Sequence, residues 1–214
     1  MYRIGYIDDE PRQFERFAKK IQRRFKDVEL VLLDECSTKE DFVQKIYEKQ
    51  VEVLLVDYKM AKTFGFNGST LINYINDQIR DLECFVLTAV DRDSITDGLV
   101  AYRNIQSKSI FDTEADDEER VKELIAFIEV LKTSADVFRA RRLLKKEEYL
   151  KLFQKRKEGK LSMSEEEEYL RLYKVLSSYG MIEKLPKDVL TSRFEEDLET
   201  LIQIGENILE KHKD

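Results

Sequence analysis

Five short apolar runs dominate the first half of this 214-residue chain: Arg3–Ile7, Val28–Leu33, Val51–Val56, Cys84–Leu87 and Tyr102–Ser107. Several are nearly continuous rather than alternating, the pattern of parallel strands covered on both faces. Between them lie amphipathic stretches of helical period. Phe14, Phe17, Ala18, Ile21 and Phe25 share one face of the first. Phe42, Val43 and Ile46 mark the second, with Ser37 and Glu40 spaced as a capping box. Leu71, Ile72, Tyr74 and Ile75 mark a third, Ile95, Leu99 and Val100 a fourth, and Val121, Leu124, Ile125 and Ile128 a fifth. Five strand–helix alternations predict a doubly wound α/β sheet of five parallel strands. Such sheets bind ligands beyond the carboxyl ends of their strands, where the strand order reverses.

Those strand ends carry the chemistry. The first runs directly into Asp8-Asp9-Glu10, the third ends at Asp57, the fourth at Thr88 and the fifth near Lys108. Taken singly, each has an ordinary use. Asp8–Glu10 would cap the next helix, Asp57 would sit in a turn, Thr88 would start a helix and Lys108 would be solvated. One such group per strand end, facing a common crevice, brings together three carboxylates, a hydroxyl and an ammonium. Crowded carboxylates repel, and a hard divalent cation with oxygen coordination relieves them; Mg²⁺ also keeps waters and shares phosphate oxygens. A carboxylate in that setting is a competent nucleophile for aspartyl-phosphate chemistry. The hydroxyl and ammonium would hold phosphoryl oxygens by charge-assisted hydrogen bonds.

The blocks Ile4-Gly5-Tyr6-Ile7-Asp8-Asp9-Glu10-Pro11, Leu54-Leu55-Val56-Asp57-Tyr58-Lys59-Met60 and Val86-Leu87-Thr88-Ala89 resemble a response-regulator receiver domain of two-component signalling. The resemblance covers residues 1–132 and implies a flavodoxin-like fold. It implies Asp57 as phosphoacceptor, Thr88 as switch hydroxyl and Lys108 as phosphate contact. It implies Mg²⁺ held by Asp8, Asp9, Asp57 and the backbone carbonyl of Lys59, with no other cofactor. The phosphoryl donor it implies is a sensor histidine kinase or a phosphotransfer protein. Departures are confined to the surroundings. Ala61 and Ser109 stand where the family has prolines, Ile105 where it has an aromatic switch residue, and the loop glycine is Gly65 or Gly68. Lys59 and Val90 flank the path of hydrolytic water, so the resemblance implies slow self-dephosphorylation and no further enzymatic activity.

Residues 133–214 are expected to form an all-α output or interaction domain. From Glu118 to Glu158 there is neither Pro nor Gly, which allows one long helix or two joined at Thr133-Ser134. Leu124, Ile128, Leu131, Ala135 and Phe138 have coiled-coil spacing; the same residues also suit an amphipathic helix packed within one monomer. The basic stretch Arg139, Arg141, Arg142, Lys145 and Lys146 reads as a solvated helix face. Glu148-Tyr149-Leu150 is echoed by Glu168-Tyr169-Leu170, and Ser162 with Glu165 starts the second copy, which predicts an αα-hairpin. A last helix is expected from about Thr191, capped by Ser192 with Glu195. These aromatic-striped helices call for a partner: the receiver, a second copy making a homodimer, or another protein.

Charge and composition narrow the alternatives. The acidic excess of seven lies wholly in residues 1–133, and residues 134–214 are balanced. The single histidine, His212, excludes His-based triads, His-built zinc clusters and an internal phosphohistidine relay. Cys36 and Cys84 read as buried reduced thiols. No apolar run spans a bilayer and no signal-peptide pattern is present, so a cytoplasmic protein without membrane contact is expected. One rival function is a receiver-fused DNA-binding transcriptional regulator, since Leu161–Glu165 followed by Tyr169-Leu170 resembles the start of a helix-turn-helix. An acidic last helix argues against DNA as a partner. The other rival is a Mg²⁺-dependent aspartyl-nucleophile phosphatase, against which stands the lack of a cap insertion in residues 1–132.

Overall fold

The computed structural model describes residues 1–183 apart from 11, 13 and 113–116; Pro186, the expected helix from Thr191 and His212 lie outside the described residues. The residues divide into two compact units, Met1–Glu147 and Glu148–Asp214. The first is built on β1 (Tyr2–Ile7), α1 (Phe14–Arg24), β2 (Val28–Leu32), α2 (Lys39–Glu48) and β3 (Val53–Asp57). After these come the single turn α3 (Ala61–Phe64), then α4 (Gly68–Gln78), β4 (Glu83–Thr88) and β5 (Ile105–Ser107). Helix α5 (Glu118–Lys157) is one unbroken 40-residue element whose residues up to Glu147 belong to the first unit, and α6 is Met163–Ser178.

All five strands are parallel, in the order β2-β1-β3-β4-β5. This is the flavodoxin-like order, with its switch point between β1 and β3. β3 is buried at every position. One face of the sheet packs Ile4, Tyr6, Val53, Leu55, Phe85 and Leu87 against α1 and α5, with Leu124, Ile128, Leu131 and Ala135 completing the core. The residues with coiled-coil spacing are therefore the core stripe of α5. Leu124, Ile128, Leu131 and Ala135 are fully buried inside the unit.

Three expectations need correction. The helix expected around Ile95, Leu99 and Val100 does not form; residues 89–104 hold only the 3₁₀ turns Arg92–Ser94 and Tyr102–Asn104. Asp91 and Asp97 accept from the nearby backbone N–H groups of Asp93 and Leu99, and Gly98 takes φ +68. Such local side-chain bonds compete with a helix, and Leu99 stays exposed. Consequently β5 is only three residues long. The cap of α2 sits one residue later than the spacing predicts. Thr38 accepts from the Asp41 N–H, while the Asp41 carboxylate accepts from Ser37 and Thr38, so the box is Thr38–Asp41.

The third correction concerns the basic stretch, which is not a free solvated face. Arg139 makes a two-pronged bond to Glu52 (Nε–Oε1 2.7 Å, Nη2–Oε2 2.6 Å) and donates to the Met1 carbonyl. Arg142 reaches Glu52 at 3.3 Å, and Arg141 and Lys145 both pair with Asp81. Glu52 precedes β3 and Asp81 precedes β4, so this part of α5 clasps the amino-terminal end of the sheet.

In the second unit, the expected hairpin is present. Tyr149 stacks on Tyr169 with centroids 5.1 Å apart, and Leu152, Leu172, Tyr173 and Leu176 complete a small core. Ser162 and Glu165 form the capping box of α6.

Candidate functional site

The carboxyl ends of β1 and β3 are adjacent because the two strands pair in register, Ile7 beside Val56. Asp8 leaves β1 and Asp57 ends β3, so both open into the same crevice. Carboxylate oxygens of Asp8, Asp9 and Asp57 all lie within 4.8 Å of one another. Lys108, immediately after β5, bridges two of them: its Nζ is 2.8 Å from Asp8 Oδ2 and 2.9 Å from Asp57 Oδ1. Four of the expected site residues thus meet, although Lys108 is a hundred positions from Asp8 in sequence.

Asp57 is buried, 5% exposed over the whole residue. Burial raises its pKa, and the negative charges of Asp8 and Asp9 add to this; the Lys108 ammonium opposes but does not cancel them. Lys108 is pulled down by its own burial. Its bonds to Asp8 and Asp57 outweigh that and hold it above its ordinary value. The ammonium therefore stays charged, and among the described residues it pairs with two of the three clustered carboxylates. That imbalance is what a hard dication would correct, and the all-oxygen donor set suits Mg²⁺.

Thr88 is buried at the end of β4, one residue beyond Leu87, the register partner of Asp57. Its hydroxyl is engaged by Val90, accepting from the N–H at 3.1 Å and donating to the carbonyl at 3.3 Å. It lines the same sheet edge but bonds to its own turn. Lys59 follows Asp57 by two residues with an exposed side chain.

Sequence reading missed two supporting hydroxyls. Tyr6, inside β1 and 1% exposed, donates to Asp8 Oδ2 at 2.6 Å, its ring packed against Phe14 and Phe17. Burial, with the hydrogen bond to Asp8 adding to it, pushes its phenol upward, so it remains a donor. Thr63 in α3 donates to Asp9 Oδ2 at 3.2 Å. Tyr6 was legible only as an inward strand residue, and its hydroxyl finds Asp8 because residues two apart share a strand face. The two candidate loop glycines also separate. A Cβ on Gly68 would lie 2.0 Å from the Asp57 carbonyl oxygen, whereas Gly65 faces open space with φ +77. Gly68 lets the start of α4 close against β3.

No protein-family model and no curated protein matches the chain. Among solved structures it is similar to a chain of the complex between histidine kinase ThkA and response regulator TrrA. That match has 22% identity, 58% of this chain, 98% of the other and TM-score 0.42. It is also similar to a CheY-like receiver domain from Methanospirillum hungatei (15% identity, 64% and 98% covered, TM-score 0.43). A third match is the RcsB response regulator of Salmonella typhimurium (17% identity, 91% and 98% covered, TM-score 0.45). The chain is similar to response-regulator receiver proteins. Its own strand order is what fixes the fold.

Proposed function

We propose that residues 1–132 form a receiver that accepts a phosphoryl group on Asp57, and that residues 133–214 carry the response onward to a protein partner. The observation that carries this reading is the clustering of Asp8, Asp9 and Asp57, two of them paired with Lys108, at the carboxyl edge of a parallel sheet. When bound by Asp8, Asp9, Asp57 and the Lys59 carbonyl, Mg²⁺ would draw negative charge off the transferring phosphoryl oxygens. The Asp57 carboxylate attacks phosphorus in line; its P–O bond forms as the donor's P–N bond breaks, and the imidazole of the donor histidine leaves with the electron pair. Lys108 neutralises a phosphoryl oxygen and holds Asp57 at the attacking angle.

Once Asp57 carries the phosphoryl group, the Thr88 hydroxyl has a stronger acceptor than the Val90 carbonyl. Turning toward it would release the Thr88–Val90 turn and move residues 89–104. That segment is short of regular structure and suited to such a shift. The physiological donor in this reading is a sensor histidine kinase or a phosphotransfer protein in the cytoplasm. A protein-directed output, rather than DNA binding, is supported by the basic stretch of α5, where Arg139, Arg141, Arg142 and Lys145 pair with Glu52 and Asp81.

Incubating the chain with a small acyl phosphate and Mg²⁺ and reading intact mass tests this directly. Wild type is expected to gain one phosphoryl group, labile to hydroxylamine as an acyl phosphate is. Asp57→Asn is expected to gain none. Equal incorporation in both, or none in either, contradicts the reading.

A further inference from the structure

Helix α5 carries a second stripe that the core does not use. Leu124, Leu131, Ala135 and Phe138 face inward, and the residues two positions further on, Ala126, Thr133, Val137 and Ala140, are exposed. Two positions on an α-helix is a rotation of about 200°, the opposite face. With Val130 and Leu144 they form the series Ala126, Val130, Thr133, Val137, Ala140, Leu144, spaced alternately by four and three residues along one unbroken helix. Val130, Val137 and Leu144 are 48%, 42% and 65% exposed. Glu123 and Glu147 end the series on either side.

This is the spacing of a coiled-coil seam, with Val130, Val137 and Leu144 at one core position and Ala126, Thr133 and Ala140 at the other. The small residues let two helix backbones approach closely. We propose that a second copy of this chain occupies the seam, with the two α5 helices parallel and in register. The choice of occupant and direction rests on the flanking charges. In the parallel arrangement Asp136 of each helix lies across from Arg141 of the other, giving two opposite-charge pairs by symmetry. In the antiparallel arrangement with these layers interleaved, Asp136 meets its own copy across the axis, a like-charge contact.

Both side chains remain about half exposed. Asp136 accepts from the Tyr2 hydroxyl at 3.1 Å and lies 3.5 Å from Arg139, and Arg141 lies 3.5 Å from Asp81. The seam is opposite the face that packs on the sheet, so the two sheets fall on the outer sides of the helix pair. The proposal goes beyond the phosphoacceptor reading and does not depend on it.

Full-length protein is tested by light scattering coupled to size exclusion and by disulfide trapping. Wild type is expected at twice the monomer mass, and Val130→Glu/Val137→Glu/Leu144→Glu at the monomer mass with an unchanged circular dichroism spectrum. Under mild oxidation Val137→Cys is expected to link to itself, and Ile125→Cys, exposed but off the seam, to remain unlinked. A wild-type monomer at every concentration overturns the proposal, as does a dimer that survives the triple substitution. Linkage at Ile125→Cys without linkage at Val137→Cys also overturns it. If the triple variant loses its helical signal, the two cysteine variants decide the matter.

Discussion

The two ends of the sheet hold similar acids in opposite electrostatic states. At the amino-terminal end, Glu52 and Asp81 are served by four cations, Arg139, Arg142, Arg141 and Lys145, all from α5. At the carboxyl end, among the described residues, Lys108 pairs with Asp8 and Asp57, and Asp9 lies beside them. Glu52 and Asp57 are comparably buried, at 8% and 5% exposure. Burial alone therefore does not mark the functional acid. What separates them is whether the fold supplies the counter-charge. The neutralised end anchors a helix, and the under-neutralised end is where we propose a cation and phosphoryl chemistry.

Removing a partner at the neutralised end should have the larger effect on stability. Arg139→Ala leaves Glu52 buried with the Arg142 guanidinium and the Arg3 backbone N–H, each at 3.3 Å. We expect a loss of about 2 kcal/mol, below the usual cost of stranding a buried charge because Arg142 stays in reach and Arg139 is partly exposed. Urea unfolding with an unchanged slope measures it. Adding Glu52→Gln should recover part of the loss, and a loss no smaller in the double variant would mean that packing, not the ion pair, holds this end.

At the other end the sign reverses. The folded state raises the pKa of Asp57, so ionised Asp57 opposes folding at neutral pH. Asp57→Asn should therefore stabilise the cation-free protein. The gain should be full above the raised folded-state pKa. It should fade as pH falls through that value toward the ordinary carboxylate range, where wild-type Asp57 is protonated in both states. A destabilised Asp57→Asn protein at neutral pH would mean that the Lys108 pair outweighs the crowding.

Much of this contrast was legible in sequence at one end and hidden at the other. Asp8, Asp9 and Asp57 follow directly from apolar strands, so local order places them at strand ends, and parallel pairing brings the ends together. Lys108 was reachable by the same reasoning because it follows β5. The clasp at Glu52 and Asp81 was not. It joins residues some ninety and sixty positions apart through the direction of α5, which periodicity does not specify. The two stripes of α5 carry the same lesson. Both have a four-and-three spacing, and only contact with the sheet shows that the Leu124–Phe138 stripe is core while the Ala126–Leu144 stripe is free. The missing helix at 89–104 reflects local bonds from Asp91 and Asp97 that outcompete three apolar residues of suitable spacing.

If charge deficit rather than acidity defines the site, calorimetric titration with Mg²⁺ will tell the two ends of the sheet apart. Wild type should bind one ion. Asp57→Asn should lose that binding, and Asp81→Asn, which removes an acid from the neutralised end, should keep it. Binding that persists in Asp57→Asn, or that disappears in a folded Asp81→Asn protein, would contradict the account.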